Sequence, residues 1–299
     1  MKKASIFIFS AIAIAMAACS PNAGFKKTKS GLKYKIISEG KGEPVKKGQF
    51  IKVHFIQKMG DSVLNSSFEG LPTYAPVDSV GPIYNPVEIF PLLRKGDSAV
   101  VVMETDSLYK QQAERPPYVK KGDKLTLTFR VVDVLANEQA LRDDQMKIFN
   151  AQKEKEVKDI GEYLAKNNIK AQKTEKGTYV VITQQGTGPV ADSGKAVQVM
   201  YTGKTFAGKI FDSNIDSSFG HTDPYTMVIG TRSAIEGWDD GLRLFNKGAK
   251  GTLYVPSMLA YGGNPPPGAP FKPFENLVFD VQVIDITAAP QRPQMPKMR

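Results

Sequence analysis

Aromatic side chains recur in the C-terminal part of the chain, one of them next to Asp212, and they are the residues best suited to line a binding pocket. They stand in five ordered segments: Phe211 to Ser213, Ile235 to Trp238, Lys247 to Pro256, Ala260 to Gly262 and Leu277 to Val281. Any one aromatic residue would fit an ordinary core. The ordered combination of all five segments is the strongest site signal in the sequence.

A metal site has few candidate ligands. The 299 residues include two histidines, His54 and His221, and neither has a set of cysteines or carboxylates nearby. The glycines of residues 186–188 recur in residues 40–42, which indicates a hairpin turn rather than a phosphate-binding loop. We therefore predict no metal and no cofactor.

Short strands and one helix must position the aromatic residues. Alternating apolar residues mark strands with one buried face. In the C-terminal part these are Val197, Val199 and Tyr201, then Leu277, Phe279, Val281 and Val283. Apolar residues at helical spacing predict one short helix from Ile235 to Phe245, ended by Gly248. The groove between this helix and the sheet is the expected site.

The N-terminal half of the chain repeats this pattern. Six positions match at an offset of 146, from Gly31 and Gly177 to Phe55 and Tyr201. Further matches follow at an offset of 152, from Lys95 and Lys247 onward. A repeat of this length indicates two copies of one fold.

The five segments resemble the FKBP family of peptidyl-prolyl cis-trans isomerases, densely over residues 171–287 and faintly over residues 25–136. The resemblance implies an α+β protein with two FKBP-like domains, each a twisted antiparallel sheet wrapped on a short helix, joined by a long helix. It also implies an enzyme that lowers the barrier to rotation about X-Pro amides, and the export signal described below makes exported proteins its expected substrates. The alternative is a noncatalytic envelope chaperone or assembly scaffold that binds unfolded or partner segments.

Catalytic and substrate-binding residues follow from the same resemblance. The catalytic candidates are Asp212, Tyr201, Trp238 and Tyr261. The substrate-binding candidates are Phe211, Tyr225, Met227, Ala234, Ile235, Phe271 and Phe279. Trp238 would form the floor, with Tyr201, Phe211 and Phe279 around the prolyl ring. The N–H of Ile235 and the hydroxyl of Tyr261 would each bind a substrate carbonyl.

Asp212 admits three interpretations. Its carboxylate accepts hydrogen bonds only, so it is expected either to bind the Tyr201 hydroxyl or to place negative charge near the twisting amide. The third interpretation is a loop-capping aspartate. The segment of residues 213–224 is longer than its counterpart in minimal family members, and it contains no arginine that could pair with Asp212. Ala234 and Met227 also depart from the family pattern, so a macrolide is only a candidate ligand.

The first copy lacks most of the pocket residues. Phe55, Leu64, Asn65 and Pro86 stand where the second copy has Tyr201, Phe211, Asp212 and Trp238. Of the key polar residues, Tyr109 alone is retained, as the counterpart of Tyr261. We therefore predict an inactive domain over residues 30–136, which serves as a spacer or as a substrate-holding or partner-binding module. The isomerase domain is assigned to residues 171–287.

Two segments outside the copies have their own character. Residues 137–170 are charged, with apolar residues at helical intervals, which predicts a spacer helix that breaks near Gly161. Its apolar stripe is expected either to pack on its own domains or to pair with a second molecule. The tail, residues 288–299, has proline at every third position from Pro290 and carries no assigned function.

The N-terminus is typical of an exported lipoprotein. Residues 1–18 read as a signal peptide, with two lysines before an apolar run that is short for a membrane span. Cys19 follows a lipoprotein-like box, so we expect it to be lipidated, although a free or buried thiol is the alternative. Residues 19–29 would then form a lipidated tether. The predicted location is the cell envelope, anchored to a membrane and facing the periplasm.

The distribution of charge argues against a nucleic-acid partner. The net charge is +10 at pH 7, but the basic residues are scattered rather than gathered on one face. The expected partners are proline-containing exported polypeptides and, through the lipid anchor, a membrane.

Overall fold

The computed structural model describes residues 24–38, 40, 42–68, 70–78, 81–109 and 115–289. The predicted signal peptide, Cys19 and most of the tail lie outside the described residues. The chain divides into two compact units: Met1–Ser66 with Tyr74–Val134, called the first unit, and Ser67–Thr73 with Leu135–Arg299, called the second unit.

The first unit is built on a seven-stranded antiparallel sheet. Its strands are β1 (Lys26–Lys27), β2 (Lys33–Ile37), β3 (Phe50–Met59), β4 (Ser62–Ser66), β5 (Thr73–Pro76), β6 (Ser98–Glu104) and β7 (Lys124–Leu135). They are ordered β1-β2-β6-β7-β3-β4, and β5 also pairs with β3. A 3₁₀ helix, Pro86–Leu92, precedes β6, and the short helix α1 (Thr105–Leu108) follows it.

The second unit begins with the long helix α2 (Glu138–Lys166) and continues into a second seven-stranded sheet. The strands are β8 (Gln172–Lys173), β9 (Tyr179–Gln184), β10 (Lys195–Thr205), β11 (Ile210–Ser213), β12 (Tyr225–Val228), β13 (Lys250–Val255) and β14 (Leu277–Ala288). Their order is β11-β10-β14-β13-β9-β8, with β12 on β10. Replacing each strand by its counterpart reproduces the order of the first unit, so the predicted α+β fold with two similar domains is confirmed.

Alternation along the strands explains why the core lies on one face of the second sheet. Val197, Val199 and Tyr201 on β10 are buried, and Val281 and Val283 on β14 pack in the same cluster. Residues between them are less buried. Burying every second side chain fixes the pairing register, because a slip by one residue would turn the whole set to solvent.

A short helix, α3 (Glu236–Gly241), crosses the buried face and continues as a 3₁₀ turn to Leu244. The predicted end at Gly248 is wrong, because Phe245 is already extended. Close approach to the sheet depends on Gly237, where a Cβ would lie 2.3 Å from Cγ1 of Val255. The missing side chain lets the helix bring Trp238 down onto the sheet.

Helix α2 runs without interruption through Gly161, so the predicted break there is wrong. A Cβ on Gly161 would lie 2.8 Å from the Tyr179 hydroxyl, which shows that this glycine serves close packing rather than a kink. Ile160 and Leu164 are buried, and the helix belongs to the second unit. Of the helices in the described residues, none combines the length and the apolar composition that a membrane span requires.

Candidate active site

One cavity of about 330 Å³ lies between α3 and the second sheet. It brings together nine of the eleven predicted site residues: Tyr201, Phe211, Asp212, Tyr225, Ala234, Ile235, Trp238, Tyr261 and Phe279. They come from six parts of the unit, namely β10, β11, β12, the start of α3, the segment between β13 and β14, and β14 itself. Distant segments therefore converge on one site.

Trp238 is the central ring of the cavity. It is 4% exposed, and three other rings meet it edge to face: Tyr201 at 5.0 Å, Tyr225 at 5.8 Å and Phe279 at 5.4 Å between ring centroids. Edge-to-face pairs are a favoured aromatic geometry. The Trp238 Nε1–H is buried without a hydrogen-bond partner among the described residues, which is rare for a buried donor.

Phe211 and Phe279 form a second side of the cavity, packed at 5.7 Å. Their approach depends on Gly203 of β10, because a Cβ there would lie 2.7 Å from Cζ of Phe211 and 3.0 Å from Cε1 of Phe279. Gly203 also pairs with Asp212 across the β10–β11 ladder. The same glycine thus makes room for the two rings and lies opposite the residue that carries the carboxylate.

Two predicted residues do not line the cavity. Met227 is 1% exposed and sits in the core on β12, opposite Val197. Phe271 is 8% exposed and packs against Phe211 at 4.9 Å and Tyr261 at 5.4 Å. Phe271 therefore supports two lining rings, and Met227 fills the core.

Asp212 lies on the polar side of the cavity. One carboxylate oxygen accepts a 2.6 Å hydrogen bond from the Tyr201 hydroxyl, and the other lies 2.8 Å from Nε2 of His221. Burial, followed by the hydrogen bond to Asp212, raises the pKa of Tyr201 well above its usual range. Burial and the negative charge of Asp212 also raise the pKa of Tyr261. Both phenols are therefore protonated donors at neutral pH.

His221 is a site residue that the sequence reasoning missed. It belongs to the long segment between β11 and β12, and its ring lies 6.4 Å from that of Tyr201. The segment is tied back by Asn214, whose amide donates to the carbonyls of Val199 and Asp223. The sequence offers only a topological hint: residues 213–224 leave the pocket at Asp212 and return to it at Tyr225, which keeps this segment near the site without indicating which of its side chains meets the carboxylate.

Comparison with known proteins agrees with this geometry. Residues 188–284 match the protein-family model described as FKBP-type peptidyl-prolyl cis-trans isomerase. FK506-binding protein 4 of Dictyostelium discoideum is 42% identical over 100 residues, which cover 33% of this chain and 25% of that protein. The probable FKBP-type peptidyl-prolyl cis-trans isomerase FkpA of Neisseria meningitidis serogroup B is 34% identical over 143 residues, or 48% of this chain and 49% of that protein.

Among solved structures, FkpA from Escherichia coli is similar at 27% identity with a TM-score of 0.38, covering 51% of this chain and 72% of that one. This chain spans less than half the length of the two curated relatives. The match to the family model falls within the unit that carries the aromatic cavity. The second unit of this chain therefore belongs to the FKBP-type peptidyl-prolyl cis-trans isomerase family.

Proposed function

We propose that the second unit catalyses cis-trans isomerisation of X-Pro bonds in polypeptides. The observation that carries this proposal is the cavity over Trp238, walled by Tyr201, Tyr225 and Phe279 and open to a substrate. Rotation about a peptide bond breaks no covalent bond and meets a barrier of about 18–20 kcal/mol. A site for this reaction needs neither a nucleophile nor a metal, only surroundings that favour the twisted amide over the planar one.

An aromatic cavity acts on that barrier through solvation. In water, hydrogen bonds to the carbonyl oxygen stabilise the planar, charge-separated resonance form of the amide. Rings that replace water remove this stabilisation, while contacts to the prolyl ring favour the twisted state. Each 1.4 kcal/mol or so removed from the barrier accelerates rotation about tenfold.

In this mechanism the residues have distinct roles. Trp238 supports the prolyl ring from below, and Tyr201, Phe211 and Phe279 enclose it. The N–H of Ile235 and the hydroxyl of Tyr261 bind substrate carbonyls. The raised pKa of Tyr261 supports its role as a donor, because burial and the charge of Asp212 both keep its proton in place.

The geometry of Asp212 favours positioning over the other two interpretations. Its 2.6 Å bond to the Tyr201 hydroxyl holds that ring against Trp238. The same bond and the contact with His221 occupy one oxygen each, so the negative charge is shared rather than directed at a substrate. General acid or base chemistry has no place in the step, because amide rotation transfers no proton.

The cellular role extends this proposal to exported proteins. Residues 1–18 and Cys19 have the pattern of a signal peptide and a lipidation site, which supports a membrane-anchored isomerase of the cell envelope that faces the periplasm. Its substrates would be proline-containing exported chains. Fatty-acid labelling of the wild type but not of Cys19→Ala is the expected result, and equal labelling of both would contradict the anchor.

A protease-free assay on a short X-Pro peptide tests the activity. The wild-type chain should accelerate isomerisation, Trp238→Leu should remove most of the acceleration, and Tyr118→Phe, a change of an exposed ring in the first unit, should leave it intact. Binding of unfolded chains without any acceleration would contradict catalysis and favour a noncatalytic chaperone or scaffold.

A further inference from the structure

Glu156 of helix α2 is a buried carboxylate, 2% exposed. Its Oε1 accepts hydrogen bonds from the Ser257 hydroxyl at 2.6 Å and from the Gln152 amide at 2.7 Å. Its Oε2 accepts from the backbone N–H of Met258 at 3.0 Å. Burying a charge is costly unless hydrogen bonds replace its lost hydration. Both oxygens therefore tie α2 to the two residues at the start of one short turn.

That turn leads directly into the cavity. The carbonyl oxygen of Ser257 accepts from the N–H groups of Ala260 and Gly262, both at 2.8 Å. These two residues flank Tyr261, which lines the cavity. Ser257 thus contacts Glu156 through its side chain and holds both neighbours of Tyr261 through its carbonyl.

Helix α2 is itself fixed to the sheet beside this turn. Ile160 and Leu164, one and two helical turns beyond Glu156, are 1% and 3% exposed. Tyr163 packs against Phe206 at 4.8 Å and against Tyr254 at 6.4 Å. Tyr254 lies on β13, two residues before Pro256, where the turn begins. The helix therefore provides a fixed base from which Glu156 holds the turn.

We propose that Glu156 is a positioning residue for Tyr261, so that helix α2 sets the height of one rim of the cavity. The inference rests on the proposed isomerase function for its kinetic consequence, while the positioning itself is a property of the turn. Loss of the carboxylate frees Ser257 and Met258, the turn shifts, and the Tyr261 hydroxyl moves away from its place over the cavity. Helix α2 is then part of the site rather than a passive spacer.

Full-chain Glu156→Gln tests this inference, with Glu154→Gln, an exposed neighbour on the same helix, as matched control. Glutamine keeps the size of the side chain but offers one acceptor oxygen instead of two. We expect kcat/KM to fall on the order of tenfold, less than the roughly hundredfold that a 1 Å misplacement can cost. Ser257→Ala, which removes one hydroxyl, should lower it less and guards against a folding defect in the first variant.

A double substitution distinguishes positioning of Tyr261 from a general effect of Glu156 on stability. In a Tyr261→Phe background the tyrosine hydroxyl is already absent, so Glu156→Gln should cause no further loss. An equal tenfold loss in both backgrounds would show that Glu156 acts on stability alone and would overturn the proposal. Unchanged kcat/KM in folded Glu156→Gln would overturn it as well.

Amide hydrogen exchange separates failure of this inference from failure of the proposed function. The Gly262 N–H, which bonds to Ser257 rather than to Glu156, should exchange at least about threefold faster in Glu156→Gln and remain unchanged in Glu154→Gln. Faster exchange at Met258 without any change at Gly262 would overturn positioning. If the wild type fails to catalyse isomerisation, the proposed function falls, and the Gly262 result alone decides the role of Glu156.

Discussion

The two units share one strand order, but the aromatic cavity predicted from the sequence, which lies over Trp238, belongs to the second unit. In the second unit, Gly203 pairs with Asp212 across β10 and β11; in the first, Gln57 pairs with Asn65 at the corresponding point of β3 and β4. Both sheets are held by alternating buried residues, which many apolar side chains satisfy. The framework and the site are therefore separable: the fold persists where the residues of the site have changed.

The helix across the sheet differs for a physical reason. The second unit has the α-helical turn α3, with Gly237 against Val255, whereas the first has the 3₁₀ helix Pro86–Leu92 with Pro91 inside it. Proline lacks an N–H and clashes with the preceding turn of an α-helix. When the two units are aligned on their Lys-Gly turns, which begin at Lys95 and Lys247, Pro86 stands at the position of Trp238. The first unit therefore has no indole at the floor of the corresponding groove.

The largest expected effect is loss of the indole. Trp238→Leu should lower kcat/KM of the full chain about hundredfold, because the ring that supports the substrate is gone and three neighbouring rings lose their partner. Phe55→Leu, at the first-unit position that corresponds to Tyr201, should change nothing. The measurement is the protease-free assay on folded variants, checked by circular dichroism. Activity near the wild-type level in folded Trp238→Leu would contradict the role given to the indole.

The next effect concerns the carboxylate. Asp212→Asn should lower kcat/KM about tenfold, because a hydrogen bond to a charged group, about 1.5–3 kcal/mol, is weakened and Tyr201 loses its fixed orientation. The matched change in the first unit, Asn65→Asp, should leave activity as it is. Wild-type rates in Asp212→Asn would contradict the positioning role.

A smaller effect is expected at His221. The pair with Asp212 is partly exposed, with side chains 45% and 39% accessible, and exposed pairs contribute about 0.2–1 kcal/mol. His221→Ala should therefore lower kcat/KM by a factor of at most about five. His221→Gln, which keeps a donor, should retain most of the rate. Equal loss in both variants would show that the imidazole acts in some way other than donation to Asp212.

The smallest effect is on stability in alkali. The folded state raises the pKa of Tyr201 above the ordinary value of 10.0, so the folded state binds this proton more tightly than the unfolded state. This contribution is fully present below pH 10 and is lost as the pH rises beyond it. Urea unfolding of Tyr201→Phe should show a shallower alkaline decline than the wild type, and an identical decline would contradict the buried phenol.

Sequence patterns predicted much of this molecule, and the exceptions have physical causes. The strands follow from alternation, and most of the cavity residues follow from the resemblance to the FKBP family that the ordered motifs carry. Met227 was misplaced because a strand motif does not say which of two buried surfaces a side chain joins. Gly161 suggested a break by intrinsic propensity, but close packing against Tyr179 keeps the helix intact.

The contacts of His221 and Glu156 were beyond sequence reasoning for a different cause. His221 reaches Asp212 only because a long loop folds back, and Glu156 meets Ser257 across 101 positions of the chain. Neither contact can be predicted from a local sequence pattern. Both residues also look like ordinary surface residues when only their own segments are considered.

Fluorescence of Trp238 is the most direct test of the account, because it is the only tryptophan in the chain. Titration with a short peptide that contains an X-Pro bond should produce a saturable change in its emission, and the same peptide with alanine in place of proline should produce little. An emission that responds equally to both peptides, or to neither, would contradict the claim that a proline residue is held over this ring.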